Sequence, residues 1–320
     1  MTTKYGNVAS TSGYTEAFYN SYQTGYEHIL QEMTDIYAGK LREDRIEGEN
    51  RAYDFLGTID LEKKETRFED IPIEDMEHNR RWLYPEWYRK GIFVDDEDQI
   101  VLHTDPTSDY LQALGKGVLR TKNTVTRGAF FGNVKGGKNP GDLTYSFKNE
   151  AFSDVSEGGR TIVHDTDDSY SAGGTSAGLT VEKLIMAREA LELLDNDPNS
   201  RFYIAVSPKQ ISDLLREAET QSIDTNIVRA LYAGTINEYM GFTFVKDNGI
   251  KKGTNNDADE DTDVYELPVW TSEGMLFAGH QSPIFNVDWL PRKQIWQLSA
   301  RAGMNAIRMD EDKVLKIECI

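Results

Sequence analysis

The residues best able to do chemistry fall into a few patterns. Gly173, Gly174, Thr175, Ser176, Ala177 and Gly178 form a glycine-rich turn ahead of a helix pattern that opens at Thr180. Backbone N–H groups in such a turn can cradle a phosphate. The Lys-Ser/Thr ending of a P-loop is missing and no strand pattern precedes the turn, so it reads as a loop. Asp257, Asp259, Asp261 and Asp263 alternate like the first ligands of a calcium loop. Thr262 stands where that loop needs glycine and Pro268 where it needs glutamate, so the stretch reads as a solvated acidic loop. The histidines, His28, His78, His103, His164 and His280, are scattered, with no H-x-x-x-H pair to hold a metal. The single cysteine, Cys319, allows neither an internal disulfide nor a cysteine zinc site. No carboxylate pair stands out as an acid/base couple. The sequence predicts no catalytic residue, no cofactor and no metal.

The elements that would position these groups follow from periodicity. In residues 1–47, positions 1–13 are polar and aperiodic, an arm with no core of its own. Phe18, Tyr22, Tyr26, Ile29, Leu30 and Met33 then recur at helical spacing. Arg67 to Ile73 has the near-alternation of a half-buried strand, and Arg80 to Tyr88 is dense in aromatics; residues 48–95 read as a long projecting hairpin. Asp105 as N-cap and Pro106 at the first helical position open a helix over 105–132. Leu111, Leu114, Val118, Val125 and Ala129 form its apolar side, and Lys116, Arg120, Asn123 and Arg127 lie opposite. Further helices are expected from Thr180, from Pro208 after Ser207, and over Thr225–Tyr232. Strands are expected at Arg201–Val206, Phe242–Val245, Met275–Ala278, Ile284–Trp289, Ile295–Met309 and Val314–Cys319. The fold class is α+β.

Charge narrows the function classes. The chain has 320 residues, with Asp+Glu 54 against Lys+Arg 35 and a formal net charge of −19. That balance argues against a general nucleic-acid binder, which needs a basic surface. No apolar run is long enough to span a membrane, and Met1–Tyr14 lacks the basic start and apolar stretch of a secretory leader. One segment departs from the average. Between Asp109 and Asp142 no acidic residue occurs, while Lys116, Arg120, Lys122, Arg127, Lys135 and Lys138 are basic. The stripe is either paired with carboxylates elsewhere in the fold or turned toward nucleic-acid phosphates or an acidic partner chain.

The order of separated motifs carries a resemblance. D-P-T-S-D-Y (Asp105–Tyr110) opens the long helix after the charged hairpin. S-P-K-Q-I-S-D-L-L (Ser207–Leu215) and G-F-T-F-V (Gly241–Val245) follow. The end is A-R-A-G-M-N-A-I-R-M-D-E-D-K-V-L-K-I-E-C (Ala300–Cys319). Over nearly its whole length the chain resembles the major capsid proteins of tailed bacteriophages, with the shell-protein fold first described for phage HK97. The resemblance implies an N-terminal arm and helix at 1–47 and an extended loop at 48–95 that lies on a neighbouring subunit. It implies a peripheral domain with a spine helix at 96–132, an axial domain at 133–270, and strands returning to the peripheral domain at 271–320. It implies self-assembly into hexamers and pentamers of an icosahedral head around double-stranded DNA, in a virion assembled in the host cytoplasm. A portal, a possible decoration protein and, since a long charged N-terminal extension is missing, a separate scaffolding protein are the implied partners.

On that reading Lys116, Arg120 and Arg127 are expected to face the shell interior, toward packaged DNA or scaffold. Phe68, Ile71, Trp82, Tyr84 and Trp87 are expected to be covered by neighbouring copies. Other readings stay open on the residues alone. They are a soluble α+β enzyme using the Gly173–Gly178 loop, a nucleic-acid-binding module on the 116–138 stretch, and another phage structural protein such as a tail tube subunit.

Overall fold

A computed structural model describes residues 34–57, 63, 70, 71, 73, 75, 76, 78–95, 107–139, 141–152, 159–162, 178–194, 196, 197, 200–221, 237–250, 252–254, 263–280 and 282–319. Its helices are α1 (Thr107–Ala129), α2 (Val181–Leu193) and α3 (Pro208–Gln221). Its strands are β1 (Arg42–Arg45), β2 (Arg51–Leu56), β3 (His78–Leu83), β4 (Glu86–Asp95), β5 (Val134–Gly136), β6 (Leu143–Tyr145), β7 (Thr161–Ile162) and β8 (Phe202–Val206). They continue as β9 (Glu238–Tyr239), β10 (Phe242–Lys246), β11 (Lys252–Thr254), β12 (Asp263–Thr271), β13 (Met275–Gly279), β14 (Ile284–Leu290), β15 (Ile295–Arg308) and β16 (Val314–Cys319). The chain divides into two compact units, and both α1 and β15 contribute residues to each. The expected helices at Phe18–Met33 and Thr225–Tyr232, and the cap pair Asp105–Pro106, lie outside the described residues. So do the Gly173–Ala177 part of the glycine-rich loop and Asp257, Asp259 and Asp261 of the acidic loop.

The first unit contains residues 87–121 and 281–303. Strand β14 pairs antiparallel with the first half of β15, and β4 also pairs with β15. Alternation along these strands presents Val94, Leu298 and Ala300 to the helix. Leu114 closes that core, with Tyr110, Leu111, Val118 and Trp296 packed around it. This is the apolar side of the helix expected from its spacing.

The second unit holds the larger core. A seven-stranded sheet runs β7-β16-β12-β8-β10-β9, with β11 on β12. Strand β8, Phe-Tyr-Ile-Ala-Val, is buried at every position and pairs in parallel with β10, as a continuous apolar run predicts for an interior strand. Helix α2 starts where Thr180 accepts a hydrogen bond from Lys183 N at 3.2 Å, the N-cap arrangement. It buries Leu184, Ala187, Ala190 and Leu191. A four-stranded antiparallel sheet, β2-β3-β5-β6, takes two strands from the 48–95 range, whose last strand, β4, pairs with β15 instead. Strand β1 pairs in parallel with β13, so the chain is already anchored by Arg42. Residues 70, 71 and 73 belong to no strand. The half-buried strand expected at Arg67–Ile73 therefore does not form at those positions, where Ile71 and Ile73 find no surface to pack on.

Cys319 closes β16 and is fully buried. Burial pushes its thiol up to about 12, because a thiolate is poorly solvated there. A thiol reagent at pH 8 is expected to leave the native chain unlabelled and to label it once unfolded in urea. Rapid labelling without denaturant would contradict the burial.

Candidate assembly surfaces

The basic stripe divides once the backbone is in place. At 100° per residue Asn123 lies about 180° from Leu114, yet Asn123 and Thr126 are fully buried. The buried face of α1 therefore rotates to the opposite side beyond Thr121. Asn123 Oδ1 accepts from Ile36 N at 3.3 Å. Lys122 Nζ donates to Glu43 at 3.0 Å and is also paired with Asp35.

Arg127, expected to face the shell interior, is bound within its own chain. Its Nε and Nη2 donate to both oxygens of Asp247 at 2.9 and 2.7 Å. Asp247 is fully buried and also accepts from Tyr37 Oη at 2.6 Å and Gly249 N at 2.7 Å. Burial alone would raise the Asp247 carboxyl. The hydrogen bonds from Arg127, Tyr37 and Gly249 outweigh that and hold it below the ordinary carboxylate value. The same burial, with the Asp247 charge beside it, drives the Tyr37 phenol well above its usual value. Arg127 thus leaves the stripe for a physical reason: a carboxylate buried by the fold claims it. Lys116 and Arg120 lie on the earlier part of α1, partly exposed, with Arg120 Nη2 folded back over Gly117.

The aromatics expected at intersubunit contacts also divide. Trp82 donates through Nε1 to Gly137 O at 2.9 Å, and Arg80 lies over its ring at 5.5 Å. Tyr84 lies under Lys135 at 5.0 Å, and its carbonyl accepts from Asn305 Nδ2 at 2.7 Å. Both are half-buried within the chain, packed against residues of β3, β5 and β15. Trp87 is 58% exposed and Ile71 84%. Phe68 lies outside the described residues.

Other exposed apolar side chains were not singled out from sequence. Ile73 is 93% exposed. Phe285, Val287 and Trp289 line one face of β14, opposite Ala300, Leu298 and Trp296. The alternation in F-N-V-D-W was the available signal, yet every position from Phe285 to Trp289 is exposed.

The alternative sites gain nothing. A Cβ at Gly178 would meet Asp213 Oδ2 at 2.5 Å, so the described end of the glycine-rich turn is packed against a carboxylate, which repels phosphate. Among the described residues no group of His, Cys, Asp or Glu could hold a metal ion, and no helix is long and apolar enough to cross a membrane.

Known proteins agree with the shell architecture. The chain is similar in structure to the cyanophage Pam1 capsid, with TM-score 0.64 and 12% identity over 100% of this chain and 99% of the other. It is similar to the capsid of cyanophage P-SCSP1u, with TM-score 0.61 and 15% identity over 98% and 97%. The capsid of Ralstonia phage GP4 gives TM-score 0.61 at 9% identity over 98% of each. These likenesses place the chain in the HK97-like capsid fold. No curated protein matches the sequence. The family model of phage capsid proteins matches residues 14–320. The shell-protein fold and that match converge: the chain belongs to the phage capsid protein family, as a major capsid protein that associates with copies of itself in the virion shell.

Proposed function

We propose that copies of this chain form the hexamers and pentamers of an icosahedral head enclosing double-stranded DNA, assembled in the host cytoplasm with a separate scaffolding protein and a portal. In this reading residues 1–47 are an arm and 48–95 an extended loop lying on neighbouring copies. Residues 96–132 carry the spine helix of the peripheral domain, 133–270 the axial domain around the five- and six-fold centres, and 271–320 the returning strands. Lys116 and Arg120 face packaged DNA or scaffold in weak, sequence-independent contact, and a decoration protein can bind the outside.

The observation that carries the reading is the exposure of Ile71, Ile73 and Trp87 on the 48–95 excursion. Each is an apolar group that gains about 1.5–3 kcal/mol on burial, and one chain repeated around a ring supplies the cover through a heterologous contact. The test is Ile71→Asp and, separately, Trp87→Ala in the full chain co-expressed with its scaffold. Polyhedral particles seen by negative-stain electron microscopy are expected to fall several-fold while the urea midpoint of the soluble chain stays within about 0.5 kcal/mol of the parent. Trp82→Ala is expected to behave differently. It removes a hydrogen bond and half-buried packing inside the chain, so the midpoint itself falls. Normal particle numbers from both Ile71→Asp and Trp87→Ala would sink the contact assignment.

A further inference from the structure

The turn after β10 reads Asp247-Asn248-Gly249. Asn248 is exposed and Gly249 half-buried. An asparagine followed by glycine is chemically labile, because glycine has no Cβ to hinder its nitrogen from closing on the asparagine side chain. The fold needs that glycine. A Cβ at Gly249 would overlap the Arg127 guanidinium, the group that pairs with Asp247. The buried ion pair therefore requires the residue that leaves Asn248 vulnerable.

The same cluster holds the reaction off. The atom that attacks in ring closure is the Gly249 nitrogen. Its N–H donates to Asp247 Oδ1 at 2.7 Å. Asp247 is fully buried and fixed by Arg127 and by the Tyr37 hydroxyl. An N–H held by a carboxylate resists deprotonation, since the anion formed would stand against a negative charge. The turn must open before that nitrogen can reach Asn248 Cγ.

We infer that Asn248 is a modification site that deamidates through a succinimide, and that the Asp247–Gly249 hydrogen bond is the latch that protects it in the folded chain. Hydroxide takes the Gly249 N–H proton. The nitrogen bonds to Asn248 Cγ, the Cγ–Nδ2 bond breaks, and ammonia leaves with a proton from water. Water then opens the ring at either carbonyl, giving aspartate or isoaspartate, and nothing is oxidised or reduced. The isoaspartate product routes the main chain through the former side chain and lengthens it by one methylene, so the Gly249 N–H loses its alignment on Asp247. Either product sets a second negative charge beside Asp247. Modification therefore loosens the buried cluster that had protected the site.

The full unassembled chain is incubated at pH 8 in oxygen-labelled water, and the peptide carrying residue 248 is weighed by mass spectrometry. Conversion in the folded chain is expected to run about ten- to a hundredfold slower than in the chain unfolded by urea, the factor for a hydrogen bond to a charged group. Asp247→Ala is expected to speed conversion by at least about tenfold. Glu311→Ala breaks ion pairs to Arg81 and Arg308 elsewhere. It is expected to change the rate by less than about twofold, because local opening of the turn does not pass through that site.

Hydrogen exchange of the parent chain gives a reading that needs no variant. The Gly249 amide is expected to be protected although its neighbour Asn248 is exposed. Equal conversion in folded and unfolded chains overturns the latch, and so does a freely exchanging Gly249 amide. Equal acceleration by Asp247→Ala and Glu311→Ala also overturns it, since unfolding of the whole chain would then control the rate. Absence of conversion at residue 248 in the unfolded chain overturns the site itself.

Discussion

Replacing Arg127 by Met is expected to cost about 3–5 kcal/mol of folding free energy, the range for removing one partner of a buried ion pair. The loss has a definite origin. Asp247 is fully buried and receives both nitrogens of Arg127, the Tyr37 hydroxyl and the Gly249 N–H. Without the guanidinium the carboxylate keeps its desolvation penalty and loses its strongest compensation. Tyr37→Phe removes a single donor and is expected to cost about 1.5–3 kcal/mol, the range for a hydrogen bond to a charged group. Urea unfolding of the unassembled chain reads both.

The pH dependence separates this account from a general loss of packing. The Asp247 carboxyl is held below its ordinary value in the folded chain. Its contribution is therefore complete above the unfolded value of about 3.9 and disappears as pH falls through the lower folded value. The Tyr37 phenol is raised, so its contribution is complete below the unfolded value of about 10 and disappears as pH climbs toward the folded one. The contribution of the cluster is therefore flat between about pH 5 and pH 9. Arg127→Met removes the depression at Asp247 and leaves the burial that raises it. The variant is expected to lose less stability than the parent between pH 5 and pH 2. Equal losses on acidification, or a cost under about 1 kcal/mol, would refute the role given to the pair.

Glu311→Ala is the second large effect. Glu311 holds two guanidinium groups, Arg81 Nη1 at 3.0 Å and Arg308 Nε at 2.6 Å. Arg308 is fully buried and Arg81 is 8% exposed. Burial lowers the Arg308 value, opposed by Glu311. Arg308 Nη1 donates to the carbonyls of Phe130 and Gly132 at 2.7 and 3.1 Å, and its guanidinium lies 5.2 Å from the centre of the Phe147 ring. Those contacts orient the side chain but carry no negative charge to balance it. Removing the carboxylate leaves two buried cations beside each other, and the expected cost is again about 3–5 kcal/mol. Glu311→Gln keeps an acceptor and is expected to cost less. If Ala and Gln were equally mild, the ion pairs would carry little of the stability, and packing around Phe147 would have to account for the site.

Both clusters show what could not be read along the chain. Arg127 and Asp247 are 120 positions apart, and Arg81 and Glu311 are 230 apart. The stripe over Lys116, Arg120 and Arg127 was a correct observation about helical spacing. The pattern carries no term for a carboxylate arriving from a distant loop, so the expectation that Arg127 faces the shell interior could not include its pairing with Asp247. Trp82 and Tyr84 find part of their cover in the same way. Aromatic density marks them as residues that need cover, and Gly137, Lys135 and Asn305 provide it from elsewhere in the same chain. The strand bounds at Met275, Ile284, Ile295 and Val314 came out within a residue or so, because alternation is a local property of an extended backbone. The starts of α2 and α3 at Thr180 and Ser207-Pro208 were legible because caps act within one turn.

The amino-acid order by itself determined the α+β class, the late strands, the helix starts and, through separated motifs, the capsid family. These rest on interactions between residues a few positions apart, or on a whole-chain pattern that survives substitution. Only the tertiary structure decided which charges are spent on internal pairs and which apolar groups stay uncovered. Burial and Coulomb energy depend on distance in space, and that distance is set when strands far apart in sequence come together.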